Sequence, residues 1–173
     1  SRGMPVHAVH SLNLNYLLTD TPLWLDAPAG PSLELILTYN DRDADHARYA
    51  TPGIQFQPFG YRWSASYEST VALDPGDHLL FHLPTGRELY FNRQSDGTYL
   101  PRDPTLTGSH TAALFPDGSA RLSTGHGSAV YTYHPTNSPL SQTLASIEDA
   151  FGNALIVTRD ETTGRFVSVS STV

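Results

Sequence analysis

The sequence predicts an all-β, antiparallel fold, on three observations. Short apolar runs alternate with polar residues at a period of two, the pattern of half-buried strands. Gly and Pro, thirteen of each, are spread along the chain and punctuate those runs. The connections between runs are too short for parallel crossovers, which need a dozen or more residues. Charged residues make up 16% and hydrophobic residues 39% of the 173, so the chain is turn-rich but able to bury a core.

Taken in order, Pro5 to Val9 is compatible with an extended segment. Leu12, Leu14 and Tyr16 alternate with Asn13 and Asn15, which predicts a half-buried strand. Pro22, Pro28, Gly30 and Pro31 then frame an expected loop holding Trp24. Leu33 to Tyr39 is the clearest strand, with Leu33, Leu35, Leu37 and Tyr39 on one face. After a polar break rich in Asp, Tyr61, Trp63, Ala65 and Tyr67 share one face of a further strand. Asp74-Pro75-Gly76-Asp77 is turn chemistry, followed by a strand from Leu79 to Leu83.

From there the glycines set a rhythm. Gly86, Gly97, Gly118, Gly127, Gly152 and Gly164 each precede a short apolar run. The predicted strands are Glu88–Phe91, Thr98–Leu100, Ala120–Leu122, Ala129–Tyr133, Ala154–Thr158 and Phe166–Val169. Ser141 to Ala150 has Leu144, Ile147 and Glu148 at helical spacing, yet its neighbours favour a strand. A Gly-led turn and short strand recurring in this way is a degraded repeat.

Composition excludes several functions. The net charge of -7 and the lack of a basic stripe argue against a nucleic-acid partner. With no Cys there is no disulfide, thiol nucleophile or Cys-based zinc site. No apolar run is long enough for a membrane span, and no signal peptide is visible.

The closing stretch carries a resemblance. Asp149, Gly152, Asn153 and Leu155, then Asp160, then Gly164-Arg165-Phe166, resemble the tyrosine–aspartate (YD) repeat of the Rhs family. Arg159 stands where that repeat has Tyr, and Phe166 where it has Leu. Upstream, Gly30-Pro31, the Leu33–Tyr39 strand with Asn40, and Phe59-Gly60-Tyr61-Arg62-Trp63 resemble the leader that precedes such repeats. Pro84-Thr85-Gly86 and Pro116-Asp117-Gly118 look like degenerate copies. The resemblance divides the chain into a β-rich leader, residues 1–75, and degenerate YD-type hairpins, residues 76–173, which can form one continuous domain.

What the resemblance implies is a curved sheet forming part of a shell that encloses a C-terminal toxin or effector. The chain would be an early segment of a longer, secreted or cell-surface bacterial polypeptide. Its partners would be later repeats of the same polypeptide and the enclosed effector domain, with no cofactor and no catalytic role. Gly152, Asn153, Asp160, Gly164 and Arg165 would hold the repeat turns, with Arg165 pairing with Asp149 or Asp160. Stacking of neighbouring repeats supplies core that one unit lacks, so unpaired strand edges are expected where the next repeat docks.

Two other readings compete. A compact β-sandwich binding carbohydrate or protein would use Trp24, Tyr61, Trp63 and Tyr67 as an aromatic platform, although such a row is more often core. A metal site would use His78 and His82, four residues apart on one strand face, with Asp77, His110 or His126 as third ligand. The expectation is instead that both histidines line the polar face of a strand whose Leu79 and Phe81 point inward. Asp41, Asp43 and Asp45 imitate the start of a calcium loop but lack its Gly and distal Glu. No Gly-x-Ser-x-Gly elbow is present.

Overall fold

The computed structural model describes residues 3–11, 14–41, 59–60, 62–135, 141–160 and 166–172. The fold is all-β and antiparallel, and among the described residues there are fourteen strands in two sheets. The first sheet holds β1 (Val6–His10), β2 (Asn15–Leu25), β3 (Leu33–Asn40) and β4 (Trp63–Ala65) in sequence order.

Three predictions within this sheet need correction. Leu14 does not continue an alternating strand: its φ is 53°, it is exposed, and β2 starts one residue later at Asn15. The left-handed backbone there belongs to the reversal between β1 and β2. Trp24 is not in a loop, because β2 runs on to Leu25 through an irregularity between Asp20 and Leu23. Pro22, which has no N–H to give the ladder, falls in that irregularity. The strand expected over 61–67 shrinks to Trp63–Ala65. Arg62 at φ 65° breaks it on one side, and a turn closed by the Glu68 N–H on the Ala65 carbonyl ends it on the other.

The second sheet has ten strands. β5 (Thr70–Leu73), β6 (Leu79–His82), β7 (Glu88–Arg93) and β8 (Tyr99–Pro101) form one meander. β9 (Thr111–Leu114), β10 (Ala120–Thr124), β11 (Ala129–Pro135) and β12 (Ser141–Asp149) form another. β12 is the strand around which the sheet is built. Along one edge it pairs with β11 from Gln142 to Asp149. Its other edge is shared, Ser141–Thr143 with β5 and Ser146–Glu148 with β13 (Ala154–Arg159). β14 (Phe166–Ser171) then pairs with β13. The ends of the strand path, β8 and β9, come back beside each other, so the sheet curls into a nearly closed barrel. This is the curved sheet expected, not the sandwich alternative.

The core lies inside this curl. Val71, Leu79, Phe81, Leu89, Phe91, Leu122, Tyr133 and Leu144 are almost wholly buried. Phe81 sits edge-on to Phe91 at 5.6 Å and to Tyr133 at 5.3 Å between ring centroids. Each large side chain so buried stabilises the fold by roughly 1.5–3 kcal/mol. Leu79 and Phe81 point inward, as their alternation predicts.

Five hairpins of this sheet share one loop. The N–H of the first residue donates to the carbonyl four residues on, and the N–H three residues on donates back to the first carbonyl. The first residues are Asp74, Leu83, Gln94, Phe115 and Asp149. The fourth positions are Asp77, Gly86, Gly97, Gly118 and Gly152, all at positive φ between 57° and 86°. This is a tight turn closed by a left-handed residue, the usual three-residue hairpin connection. Gly86, Gly97, Gly118 and Gly152 of the sequence rhythm thus mark one repeated turn, with Asp77 as its non-glycine member; Gly127 lies instead in the 3-10 turn between β10 and β11, and Gly164 lies outside the described residues.

The sheet change falls between Ala65 and Thr70, ahead of residue 75. Leu33 and Leu35 of β3 pack against the core of the second sheet. The segment 64–68 rivets the two together. The Ser66 hydroxyl donates to the Glu34 carbonyl at 2.8 Å, the Glu34 N–H donates to the Tyr67 hydroxyl at 3.0 Å, and the Ser64 hydroxyl bonds the Pro84 carbonyl. At Gly30 a Cβ would stand 2.5 Å from Cβ of Asn153, so only glycine lets the β2–β3 connection close on the β12–β13 hairpin.

Candidate functional site

The first sheet carries a row of rings, one from each strand. His7, Tyr16, Tyr39 and Trp63 follow one another with centroids 6.2, 6.3 and 5.5 Å apart. The strand registers place them on one face. Their planes differ by 25°, 60° and 55°, so they form no flat platform of the kind a sugar ring stacks on. Beside the row, the Tyr39 hydroxyl and Arg62 both donate to Asp41.

The aromatic residues singled out from the sequence therefore separate. Tyr67 is 3% exposed and belongs to the core. Burial raises its phenol above the usual range. Trp63 is half-buried against Tyr39. Trp24 is 45% exposed, on the opposite side of β2 from the row's register positions, and Tyr61 lies outside the described residues. Around Trp24 and along the β1–β2 hairpin, Met4, Val6, Val9, Leu14, Leu23 and Leu25 are half-exposed or more. They are divided between the two faces of the sheet, Val6 and Val9 on opposite sides of β1, and Leu23 and Leu25 on the side of β2 away from Trp24.

The repeat residues resolve into a turn mechanism. Asp149 accepts from the N–H groups of Phe151 and Asn153 and from the Asn153 side-chain amide at 2.8–3.0 Å. The Asn153 amide, with these turn N–H groups, holds the Asp149 carboxyl below the usual carboxylate range. Asp74 does the same for Gly76 and His78. In two other hairpins the carboxylate stands two residues later: Asp96 accepts from the N–H and hydroxyl of Thr98, and Asp117 from those of Ser119. Gly152 and Asn153 lie in the turn between β12 and β13. Asp160 is exposed at the end of β13, while Gly164 and Arg165 lie outside the described residues. Phe151, at the tip of the β12–β13 hairpin, is 90% exposed.

His78 and His82 do not converge on a common centre. His78 Nδ1 accepts from the Arg93 N–H at 2.9 Å. His82 is 7% exposed, with Nδ1 3.2 Å from Glu88 Oε1 across the strand pair. Asp77, the suggested third ligand, is paired with Arg93 at 2.6 Å. Among the described residues no three His, Asp or Glu side chains group as a metal centre requires. Of the calcium-like run, Asp43 and Asp45 lie outside the described residues.

Sequence reading passed over two arrangements. The Ser109 hydroxyl lies 2.9 Å from His110 Nδ1. Desolvation, then the charges of Arg87 and His126, push the His110 imidazole below its usual range. In a Ser-His-Asp triad a carboxylate holds the imidazolium, whereas the charges that act on His110 here lower its affinity for a proton. The second arrangement joins β13 to the sheet junction. Arg159 donates to the Leu144 carbonyl at 3.3 Å and to the Tyr67 carbonyl. Glu68 Oε2 accepts from the Ala65 N–H at 2.7 Å, and burial raises its carboxyl to about 7 against the pull of Arg159. Such long-range pairing has no signal in local sequence.

Among the described residues no helix is long and apolar enough to cross a membrane. Comparison with protein-family models and with curated proteins finds no match.

Proposed function

We propose that this chain is a structural segment of an Rhs-type repeat protein, forming part of a β-sheet shell around a C-terminal toxin or effector domain. The observation that carries the reading is the single hairpin loop used five times along one curling sheet. The last of these loops bears the Asp149, Gly152, Asn153, Leu155 pattern from which the resemblance was drawn. A wall also needs edges that accept further strands. Among the described residues, β14 pairs only with β13 and carries no charged side chain from Phe166 to Thr172. On this reading the chain acts by packing, without catalysis or cofactor, in a polypeptide exported to the surface or medium. The test is the coding sequence downstream of Val173. Hundreds of further codons with recurring Gly-Arg-Leu and Tyr-Asp patterns support the proposal, and an immediate stop overturns it.

The exposure of Trp24 favours a second reading, a carbohydrate-binding module. Titration with oligosaccharides, followed by tryptophan fluorescence, distinguishes it: saturable quenching lost in Trp24→Ala supports binding, and an unchanged spectrum excludes it for the sugars tried.

A further inference from the structure

β1 is an edge strand without the usual protection. Among the described residues it pairs only with β2, and all five of its residues, Val6 to His10, are exposed. It contains no Lys, Arg, Asp, Glu or Pro, the residues that natural edges use to discourage pairing. Its outer N–H and C=O groups therefore call for another extended strand.

The sequence of the edge narrows the choice of strand. Val6-His7-Ala8-Val9-His10 is close to self-complementary when read against itself antiparallel. With Ala8 opposite Ala8, each Val faces a His and no two imidazoles stand directly opposite. Val6 and Val9, 50% and 58% exposed on opposite faces, would each gain a ring to pack on. The register works whichever alternate set of backbone groups points outward, because a two-fold axis can pass through either kind of antiparallel pair. Both faces also match. The axis stands perpendicular to the sheet, so the face bearing His7 and Tyr16 continues into the same face of the copy, extending the aromatic row across the joint.

We infer that the outer edge of β1 pairs with β1 of a second copy of this chain, antiparallel and centred on Ala8, giving one continuous eight-stranded sheet. The joint is isologous and contains about four to six backbone hydrogen bonds. It lies at the opposite end of the chain from β14 and does not depend on the repeat-shell proposal.

The absence of Cys permits a direct test. In the proposed register, Ala8→Cys places two thiols on directly opposed residues, within the roughly 4.4–6.8 Å Cα spacing a disulfide spans. Val6→Cys separates the two thiols by four register positions, about 14 Å, too far to bridge. The expected result on oxidation with diamide is a disulfide-linked dimer for Ala8→Cys and roughly ten-fold less for Val6→Cys. Sedimentation velocity of the unmodified protein across a concentration series should show a monomer–dimer equilibrium that Val9→Lys shifts to monomer. Equal crosslinking of the two cysteine variants, or a monomer at every concentration, overturns the inference.

Discussion

Gly152→Val is the cleanest perturbation of the repeated turn. Gly152 has φ +86°, and beyond its chain neighbours no heavy atom lies within 4 Å of where a Cβ would stand. The expected loss of stability therefore comes from the left-handed backbone and not from a clash of the Cβ with distant groups. An L-residue forced into the left-handed region costs roughly 1–2 kcal/mol, and a β-branched one is a true outlier there. Because the Gly152 N–H closes the turn on the Asp149 carbonyl, a shift in φ also loosens that bond. The expected cost is about 2–3 kcal/mol, of the order found for strained backbone held by its surroundings. In a domain of this size that lowers the melting temperature by about 4–12 °C. Urea denaturation measures the free energy directly, and Gly152→Asn, which tolerates the left-handed region, should lose less than about 1 kcal/mol. Equal stability of the Val and wild-type proteins would refute the assignment of a common left-handed turn position.

The buried polar groups give further expectations. Glu68 has its carboxyl raised from 4.5 to about 7, so between those values the folded state holds more protons than the unfolded. Its contribution is fully present below pH 4.5 and is lost as pH rises through about 7. Glu68→Gln should remove that pH dependence and stabilise the protein at pH 8 by on the order of 2 kcal/mol, read from urea midpoints at several pH values. Arg159→Tyr restores the residue usual in the resembling repeat but abandons the Tyr67 and Leu144 carbonyls. It should cost about 1–3 kcal/mol in the same assay, and a gain in stability would refute the bridging role. The Tyr133 hydroxyl meets Ser69 Oγ at 2.9 Å, and Ser69 Oγ donates to the His82 carbonyl. Ser69→Ala strands a buried phenol and should cost about 1–3 kcal/mol, more than Tyr133→Phe at about 1 kcal/mol.

Local chemistry made much of the fold legible, and distant pairing made the rest opaque. Gly86, Gly97, Gly118 and Gly152 marked the loops because only glycine enters the left-handed position without penalty. Asp77 filled the same position unnoticed because a carboxylate there looks like ordinary turn chemistry. The inward Leu79 and Phe81 of β6 followed from alternation, whereas His82, expected on the polar face, is buried, Thr38 and not a leucine is the buried residue of β3, and Leu14 alternated and still turned outward. Alternation at a strand end does not distinguish the last rung from the reversal. The joining of β5 to β12 links residues some seventy positions apart, and nothing in either strand announces it. Tyr67 lies in the core, where such an aromatic row more often sits, and not on the alternative platform. The bridge from Arg159 to the sheet junction was likewise invisible, since the sequence marks Arg159 only by the Tyr it replaces.

The proposed place of this chain in a shell wall is tested by electron microscopy of the natural polypeptide that contains it. The expected result is density in which these two sheets form part of a curved wall, β14 pairs with the next strand along its outer edge, and further protein lies enclosed. A free-standing domain with β14 open to solvent and nothing enclosed would contradict it.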